Sequence, residues 1–268
     1  MALQINSNLS SVSPQRQVQA TVRAFLRINE RLTSGLRINR AADDAAGLGI
    51  AEGLRSEVRQ FTREAENLQS GVNAIQIAEG GLAAQADTIQ RVRELALEAS
   101  NGTLSDEQRS ALNEEAQQLI FQIDAAAEGA EFNGTKPLKA DQTIALGTAA
   151  GEQITFSEST STSLGVGGID LSTQAGAQSA LSSIDAALER VNENRASLGA
   201  QENRLATGIS VREHAADNIR EAESRIREVD VARLAIERAR NEVLMGAGIS
   251  AIRRSSITAE TAARLLGV

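Results

Sequence analysis

The chain has 268 residues, a formal net charge of −8 and no cysteine, which excludes a disulfide framework, a thiol nucleophile and a thiolate metal site. It has no Trp or Tyr and only five Phe, whereas the core of a compact enzyme usually depends on the large area that aromatic side chains bury. No apolar run approaches the roughly 18 residues of a membrane span, and the acidic balance disfavours nucleic-acid binding.

The first 40 residues carry six arginines against one acid, Glu30, together with an apolar stripe. The stripe recurs at helical spacing and predicts an amphipathic helix; its members are Val18, Val22, Phe25, Leu32 and Leu36. The start, MALQINSNLSSVSPQRQ, lacks the charged region, apolar block and cleavage site of a secretory signal, so standard signal-peptide export is not expected. An Arg- and Ser-rich, acid-poor start also fits an organellar transit peptide, which stays open as an alternative.

A turn and a helix start follow in SGLRINRAADDAAGLGIAEGLR. Gly35 allows the turn. Asp43 and Asp44 directly precede an alanine-rich stretch, where carboxylates cap a helix and interact favourably with its dipole. A metal site or an acid–base pair is the less favoured interpretation, because neighbouring side chains point apart on a helix. Gly47 and Gly49 lack the flanking residues of a phosphate loop and are predicted to permit close approach of helices.

Heptad spacing dominates the next part of the chain. Apolar residues alternate steps of four and three over residues 54–89, interrupted at Glu79. The pattern predicts a helix of about 50 residues that ends near Ala99. Ser105 and Gln108 then form a capping box for a new helix.

Residues 132–176 change period. QTIALG and EQITFSES alternate as short strands around the turn TAAG and predict a β-hairpin. The Ser/Thr-rich segment SESTSTS after the second strand is predicted to be a loop and a candidate for O-linked sugars.

A second long helix is predicted from about Ala177 to Ile226, with its own apolar seam. The interruptions of that seam are Arg195, Glu202 and Arg212. The phase then slips, and a new seam begins through Val229, Ile236 and Val243.

Apolar stripes on short segments at both ends of the chain cannot be buried against a distant centre, so we expect the two ends to pair. The predicted fold is mainly α: an elongated rod of long antiparallel coiled-coil-like helices with paired termini, plus a small β-hairpin region in mid-chain. We find no catalytic, cofactor or metal site. The one histidine, His214, has no partner at the spacing of a known motif.

The sequence resembles bacterial flagellin, the subunit of the flagellar filament, over nearly its whole length. The resemblance is carried by RLTSGLRINRAADDAAGLGIAEGLRSEVR, IQRVRELALEASNGT, EFNGTKPL, LGVGGIDLSTQAGAQSALSSIDAALERVNENRASLGAQENRL and ESRIREVDVA. The tail GAGISAIRRSSITAETAARLLGV departs from the family pattern. The resemblance implies an inner terminal coiled-coil domain of residues 1–42 plus 227–268, and an outer helical domain of residues 43–226 that includes the hairpin region.

Three groups of functional residues follow from the resemblance. A joint between domains and subunits would comprise Gly35, Arg37, Arg40, Asp43, Asp44 and Gly47, with the arginines bridging to acids of adjoining chains. The inner coiled coil would comprise Val18, Val22, Phe25, Leu32, Val229, Ile236 and Val243. Contacts to a host Toll-like receptor would be Arg91, Leu95 and Glu115, although packing between subunits is their favoured role.

The function that the resemblance implies is structural: polymerisation into a filament for swimming motility, with no enzyme activity and no cofactor. Its implied partners are further copies of itself, an export chaperone, the filament cap and hook-junction proteins, and neither nucleic acid nor membrane. The implied location is extracellular, after export through the flagellar type III channel without a cleaved leader. A hook–filament junction protein and a secreted coiled-coil binding module are the alternatives; in the former we expect a proline after the Asp pair, where this chain has Ala45.

Overall fold

The computed structural model describes the backbone of residues 9–265 and the side chains of residues 12–254. Its elements in chain order are α1 (Leu9–Ser34), α2 (Ala45–Ala99), α3 (Asp106–Gly129), β1 (Gln142–Ala145), β2 (Gln153–Phe156), α4 (Ser161–Leu164), α5 (Gln174–Arg227) and α6 (Val231–Leu265). The fold is mainly helical, α1 contacts α6, and the two strands form one antiparallel hairpin. The predicted fold class is confirmed in these respects.

The chain divides into two compact units. The terminal unit contains the described residues up to Val58 and from Asn218 onward. The central unit is Arg59–Asp217. The predicted division into an inner and an outer domain remains a prediction.

In the central unit the core follows the heptad seams. Leu68, Ile75, Leu82 and Ile89 on α2 are fully buried. They belong to one apolar cluster with buried residues of α3, the hairpin and α5, among them Ile184. The period of four and three residues therefore identified the buried face of α2 in this unit.

Charged interruptions of the two seams make polar contacts between α2 and α5. Arg195 on α5 lies 3.9 Å from Glu79 on α2. Further along, Glu202 accepts a hydrogen bond from Gln76 at 2.9 Å. From the first contact to the second, the residue number increases on α5 and decreases on α2, as expected for antiparallel helices. The sequence marked Glu79, Arg195 and Glu202 as breaks in an apolar pattern, whereas in the structure each makes a polar contact between the two helices.

The connection between α2 and α3 has the predicted capping box. Ser105 Oγ accepts from the Gln108 backbone N–H at 3.3 Å, and Gln108 Oε1 accepts from the Ser105 N–H at 2.9 Å. The guanidinium of Arg109, which is buried, donates to the carbonyl oxygens of Ala99, Leu104 and Asn101. The bond to Ala99 satisfies a carbonyl at the end of α2 that has no partner within the helix, and the other two hold the connection to α3.

The predicted hairpin is present, with Ile144 opposite Ile154. It packs on α2 at Gly71, where an added Cβ would lie 2.8 Å from Ile154 Cδ1. A side chain at position 71 would push the hairpin away from the helix, since real Cβ atoms do not approach that closely.

The Ser/Thr-rich segment after β2 is more ordered than the predicted loop. Thr160 caps the short helix α4. Ser159 is fully buried and donates from Oγ to Gln85 Oε1 at 2.6 Å, while Gln85 Nε2 donates to the carbonyls of Ser159 and Ile123. The buried hydroxyl of Ser159 is thereby excluded as an attachment site for a sugar in the folded chain.

Gln85→Leu should lower the free energy of unfolding by about 2–3 kcal/mol, because it leaves the Ser159 carbonyl without this donor and the buried Ser159 hydroxyl without its acceptor. Urea unfolding followed by circular dichroism measures the change. Gln69→Leu is the matched control, since Gln69 lies exposed on the same helix and bonds Asn73 at 3.3 Å. Equal losses in the two variants would contradict a special role for the buried amide.

Candidate functional site

The turn after α1 is held by backbone hydrogen bonds to the segment between α5 and α6. Gly35 has a φ of 70° and ends α1, with its N–H bonded to the Arg31 carbonyl at 2.9 Å. Its own carbonyl accepts from Val229 N–H at 3.1 Å, and Arg37 N–H donates to the Arg227 carbonyl at 2.6 Å. A positive φ favours glycine. The turn therefore fixes the end of α1 against the α5–α6 junction.

The arginines of this turn have partners within their own chain. The guanidinium of Arg37 donates to the carbonyl of Ile226. Arg40 lies 2.8 Å from Glu30 on α1, and its side chain is 72% exposed. The predicted bridges from Arg37 and Arg40 to acids of adjoining chains remain a prediction, and each would have to form beside these internal contacts.

Asp43 and Asp44 have separate roles. Asp43 Oδ2 accepts from the backbone N–H groups of Arg40 at 3.1 Å and Asn39 at 3.2 Å. These bonds, that from Arg40 first, hold the pKa of Asp43 below its ordinary value. Asp44 Oδ1 accepts from Gly47 N–H at 2.9 Å and caps α2. The turn is closed by the first carboxylate, and the helix is started by the second.

Within its own chain, Gly47 serves the cap and not the approach of another helix. A Cβ at position 47 would lie 2.4 Å from Asp44 Oδ2 and 2.9 Å from Ile38 Cδ1. At Gly49 an added Cβ would meet nothing within 4 Å. Within the described chain neither glycine has another helix close by, since the close neighbours of position 47 belong to the turn that precedes α2. Close packing of helices from neighbouring copies at these glycines remains a prediction.

Gly47→Ala and Gly49→Ala should change stability in opposite directions. Alanine at 49 should stabilise by up to about 1 kcal/mol, the usual gain over glycine inside a helix. Alanine at 47 should cost about 1 kcal/mol or more, since it displaces the capping carboxylate. Urea unfolding of both variants checks the sign. A gain at both positions would show that the cap tolerates a methyl group.

In the terminal unit α1 and α6 pack along one face of each helix. The face of α1 includes Thr21 and Ile28, which are 6% and 7% exposed. The half-buried predicted residues Val18, Val22, Phe25 and Leu32 lie on or beside it. On α6 the corresponding residues are Leu234, which is buried, and the half-buried Asn241, Met245, Gly248 and Ile252.

Two close contacts fix the pairing of these helices. A Cβ at Gly248 would lie 2.5 Å from Val18 Cγ2. The guanidinium carbon of Arg238 lies 5.9 Å from the centre of the Phe25 ring, a cation–π contact. Neither Gly248 nor Arg238 was among the predicted coil residues.

The predicted α6 seam requires correction. Ile236 and Val243 are each 71% exposed and do not face α1. They lie two residues beyond Leu234 and Asn241, and two residues rotate a helical side chain by about 200°. Val229 precedes α6 and is half-buried. The apolar seam predicted for α6 therefore lies on a face of the helix that α1 does not cover.

The predicted receptor contacts separate into two surface residues and one core residue. Arg91 on α2 lies 3.0 Å from Glu115 on α3 and 2.9 Å from Glu94. Leu95 is 1% exposed and belongs to the apolar core. Its side chain is not accessible in the folded chain, so its prediction as a receptor contact is wrong.

Comparison with known proteins decides the family. Residues 5–143 match the bacterial flagellin N-terminal helical region, and residues 181–258 match the bacterial flagellin C-terminal helical region. The chain belongs to the flagellin family. The flagellin of Halalkalibacterium halodurans is 38% identical over 90% of this chain and 91% of its own length. Flagellin FlaB1 of Treponema pallidum is 34% identical over 98% of this chain and 99% of its own.

This flagellin is a core subunit of the flagellar filament, a structural and non-enzymatic part of the bacterial flagellum. Its fold resembles a solved structure assigned to the flagellar hook-associated proteins of Vibrio parahaemolyticus, with a TM-score of 0.59 and 13% identity over 69% of this chain and 99% of that chain. That likeness concerns the fold alone. The hook–filament junction alternative is disfavoured, since both matching family models are those of flagellin.

Neither a membrane-crossing segment nor a metal cluster is present among the described residues. No described helix of this flagellin is both long and apolar enough to cross a bilayer. In the same part of the chain, no group of three or more His, Cys, Asp or Glu side chains is placed to hold a metal ion.

Proposed function

We propose that this flagellin polymerises by burying, between neighbouring copies, the apolar side chains that the α1–α6 pair leaves uncovered. The observation that supports this is the exposure of Ile236 (71%), Val243 (71%), Leu26 (60%) and Val231 (57%) in the terminal unit. Burial of one such side chain contributes about 1.5–3 kcal/mol. A contact in which one surface of a copy meets a different surface of the next builds an open helical filament when the rotation between copies does not close a ring.

The arrangement of inner and outer domains is part of this proposal. Residues 1–42 plus 227–268 would form the inner coiled coil, and residues 43–226 the outer domain. The joint would be the turn from Gly35 to Asp44, whose hydrogen bonds to the α5–α6 junction keep it in one conformation. The exposed guanidinium of Arg40 would reach an acid of the adjoining copy.

We also propose an export chaperone, the filament cap and hook-junction proteins as partners, on the support of the chain's membership of the flagellin family. A host Toll-like receptor is a further candidate, with contacts at Arg91 and Glu115 but not at the buried Leu95. Because Arg91 and Glu115 already pair with each other on the surface of α2 and α3, we favour packing between subunits as their role.

Ile236→Ser combined with Val243→Ser should abolish elongation of filaments from seeds. The free energy of unfolding of the monomer should change by no more than about 0.5 kcal/mol, since exposed positions contribute little to the stability of a single chain. Electron microscopy and sedimentation after seeding measure elongation, and urea unfolding measures stability.

The matched control is Val211→Ser, which removes a 58% exposed valine from the central unit. Elongation of the double variant at the rate of the parent would contradict the proposal. A closed oligomer of fixed size formed by the parent protein under the same conditions would instead favour the coiled-coil binding module.

A further inference from the structure

Gln201 on α5 occupies the position that a third strand would take beside β2. Its Oε1 accepts from the Thr155 backbone N–H at 2.9 Å, and its Nε2 donates to the Thr155 carbonyl at 3.0 Å. One carboxamide therefore supplies both the acceptor and the donor that a neighbouring strand would offer. Arg204 adds a bond from Nη2 to the Gln153 carbonyl at 2.9 Å.

These bonds lie on the edge of β2 that faces away from β1. Leu146 N–H donates to the Glu152 carbonyl at 2.9 Å, next to the paired residues Ala145 and Gln153. In an antiparallel pair only every second residue bonds across to its partner, so the backbone groups of Gln153 and Thr155 point outward. Three of those four outward groups are bonded to α5 side chains.

The outer edge of β1 differs. Thr143 and Ala145, opposite Thr155 and Gln153, direct their backbone groups away from β2 by the same alternation. No hydrogen bond joins these outward groups to any residue in the described part of the chain. Of the two edges of this hairpin, one is therefore covered by side chains and the other is open.

We propose that Gln201 and Arg204 protect the β2 edge against strand addition, and that the strand they exclude is the open β1 edge of a second copy. Pairing of β1 in one copy with β2 in the next joins two different surfaces, so each added copy leaves an edge free and the pairing can continue from copy to copy. Unpaired strand edges are templates for aggregation. A subunit that works in a many-copy filament presents its hairpin at high local concentration.

A groove lies beside the β2 edge, and shortening the two side chains would widen it. It is lined by Ser197, Ala200, Gln201 and Arg204 of α5 and by Gln153 and Thr155 of β2, with a volume of about 440 Å³. Apart from Arg204, the lining residues are uncharged, so after truncation no other charge in the lining would oppose a strand there.

The test compares full-length protein carrying Gln201→Ala and Arg204→Ala with the parent, without filament seeds. At low concentration hydrogen exchange at the Thr155 amide should be about fivefold faster in the double variant, which corresponds to the loss of one hydrogen bond of about 1 kcal/mol. At higher concentration protection should return, and size-exclusion chromatography should show an associated species. Asn203→Ala should show neither change, because Asn203 Nδ2 bonds only to the Gly199 carbonyl within α5.

Thr155→Pro added to the double variant identifies the surface that associates. Proline is tolerated on an edge strand where its missing N–H faces outward, so the triple variant should return to the elution volume of the parent. Association that persists in the triple variant would overturn the proposal, and so would a double variant that behaves as Asn203→Ala at every concentration. If the Ile154 amide also lost its protection from hydrogen exchange, the two strands of the hairpin would have separated. Gln201 and Arg204 would then have a structural role only.

Discussion

Arg212→Met is expected to lower the free energy of unfolding of the central unit by about 3–5 kcal/mol, because it leaves two carboxylates without their cation. Arg212 on α5 is 8% exposed and lies 3.1 Å from Glu64 on α2, which is 5% exposed. Arg212 bonds Glu64 through Nε and Glu152, the residue directly before β2, through Nη2. Urea unfolding followed by circular dichroism measures the loss.

Two further variants show whether the loss comes from unpaired charge. Arg225→Met removes an exposed arginine from the same helix, where it pairs with Glu221, and should cost less than about 1 kcal/mol. Combining Arg212→Met with Glu64→Gln and Glu152→Gln should recover part of the stability, since neutral amides cost less to bury than carboxylates. No recovery would mean that packing of the arginine stem, and not its charge, is what matters.

Acid should reduce the difference between the parent and Arg212→Met. Burial raises the pKa of Glu64, but hydrogen bonds from Gln60, the Ala149 N–H and Arg212 outweigh it and lower the pKa below the ordinary value. The stabilisation by ionised Glu64 is therefore complete above its unfolded pKa of about 4.3 and is lost as the pH falls through the folded value. A difference that stays constant down to pH values well below 4 would exclude Glu64 as its source.

Hydrophobic periodicity predicted much of this fold because burial in the central unit is decided by one dominant stripe. On α2 the stripe from Leu68 to Ile89 is buried as its spacing indicates. The same rule failed on α6, where apolar residues lie on more than one face. By spacing alone, either Leu234 or Ile236 could belong to the buried face, and only the contact with α1 distinguishes the buried residue from the exposed one.

The parts of the candidate site that sequence reasoning missed depend on partners distant in the chain. A Ser/Thr-rich composition predicts a loop. Ser159 is nevertheless buried, because its hydroxyl group donates a hydrogen bond to Gln85, which lies 74 residues earlier in the chain. The sequence does not distinguish Gly47 from any other small residue in a helix, because the reason for glycine is the closeness of Ile38 and the Asp44 carboxylate in the fold. The resemblance implied a receptor contact at Leu95, yet the position of Leu95 on α2 places its side chain in the core.

Gly248→Ala is expected to weaken the α1–α6 pair by about 1–3 kcal/mol, the usual cost of an added methyl group in a close contact. The new Cβ would lie 2.5 Å from Val18 Cγ2, and a β-branched valine in a helix has little freedom to rotate away. Hydrogen exchange in α1 should become faster while exchange in the central unit stays unchanged. Because the proposed assembly needs this pair, seeded filament growth should also slow.

Gly246→Ala separates the contact from helix propensity. It introduces the same methyl group into the same helix at a position where nothing lies within 4 Å, so both variants gain the same intrinsic preference of alanine over glycine. Exchange in α1 should then stay at the parental rate or become slower. Suppose that both variants gave the same exchange in α1 and the same filament growth. The close approach of α6 to Val18 would then have no part in holding the terminal helices together. The pairing on which the proposed assembly depends would need another cause.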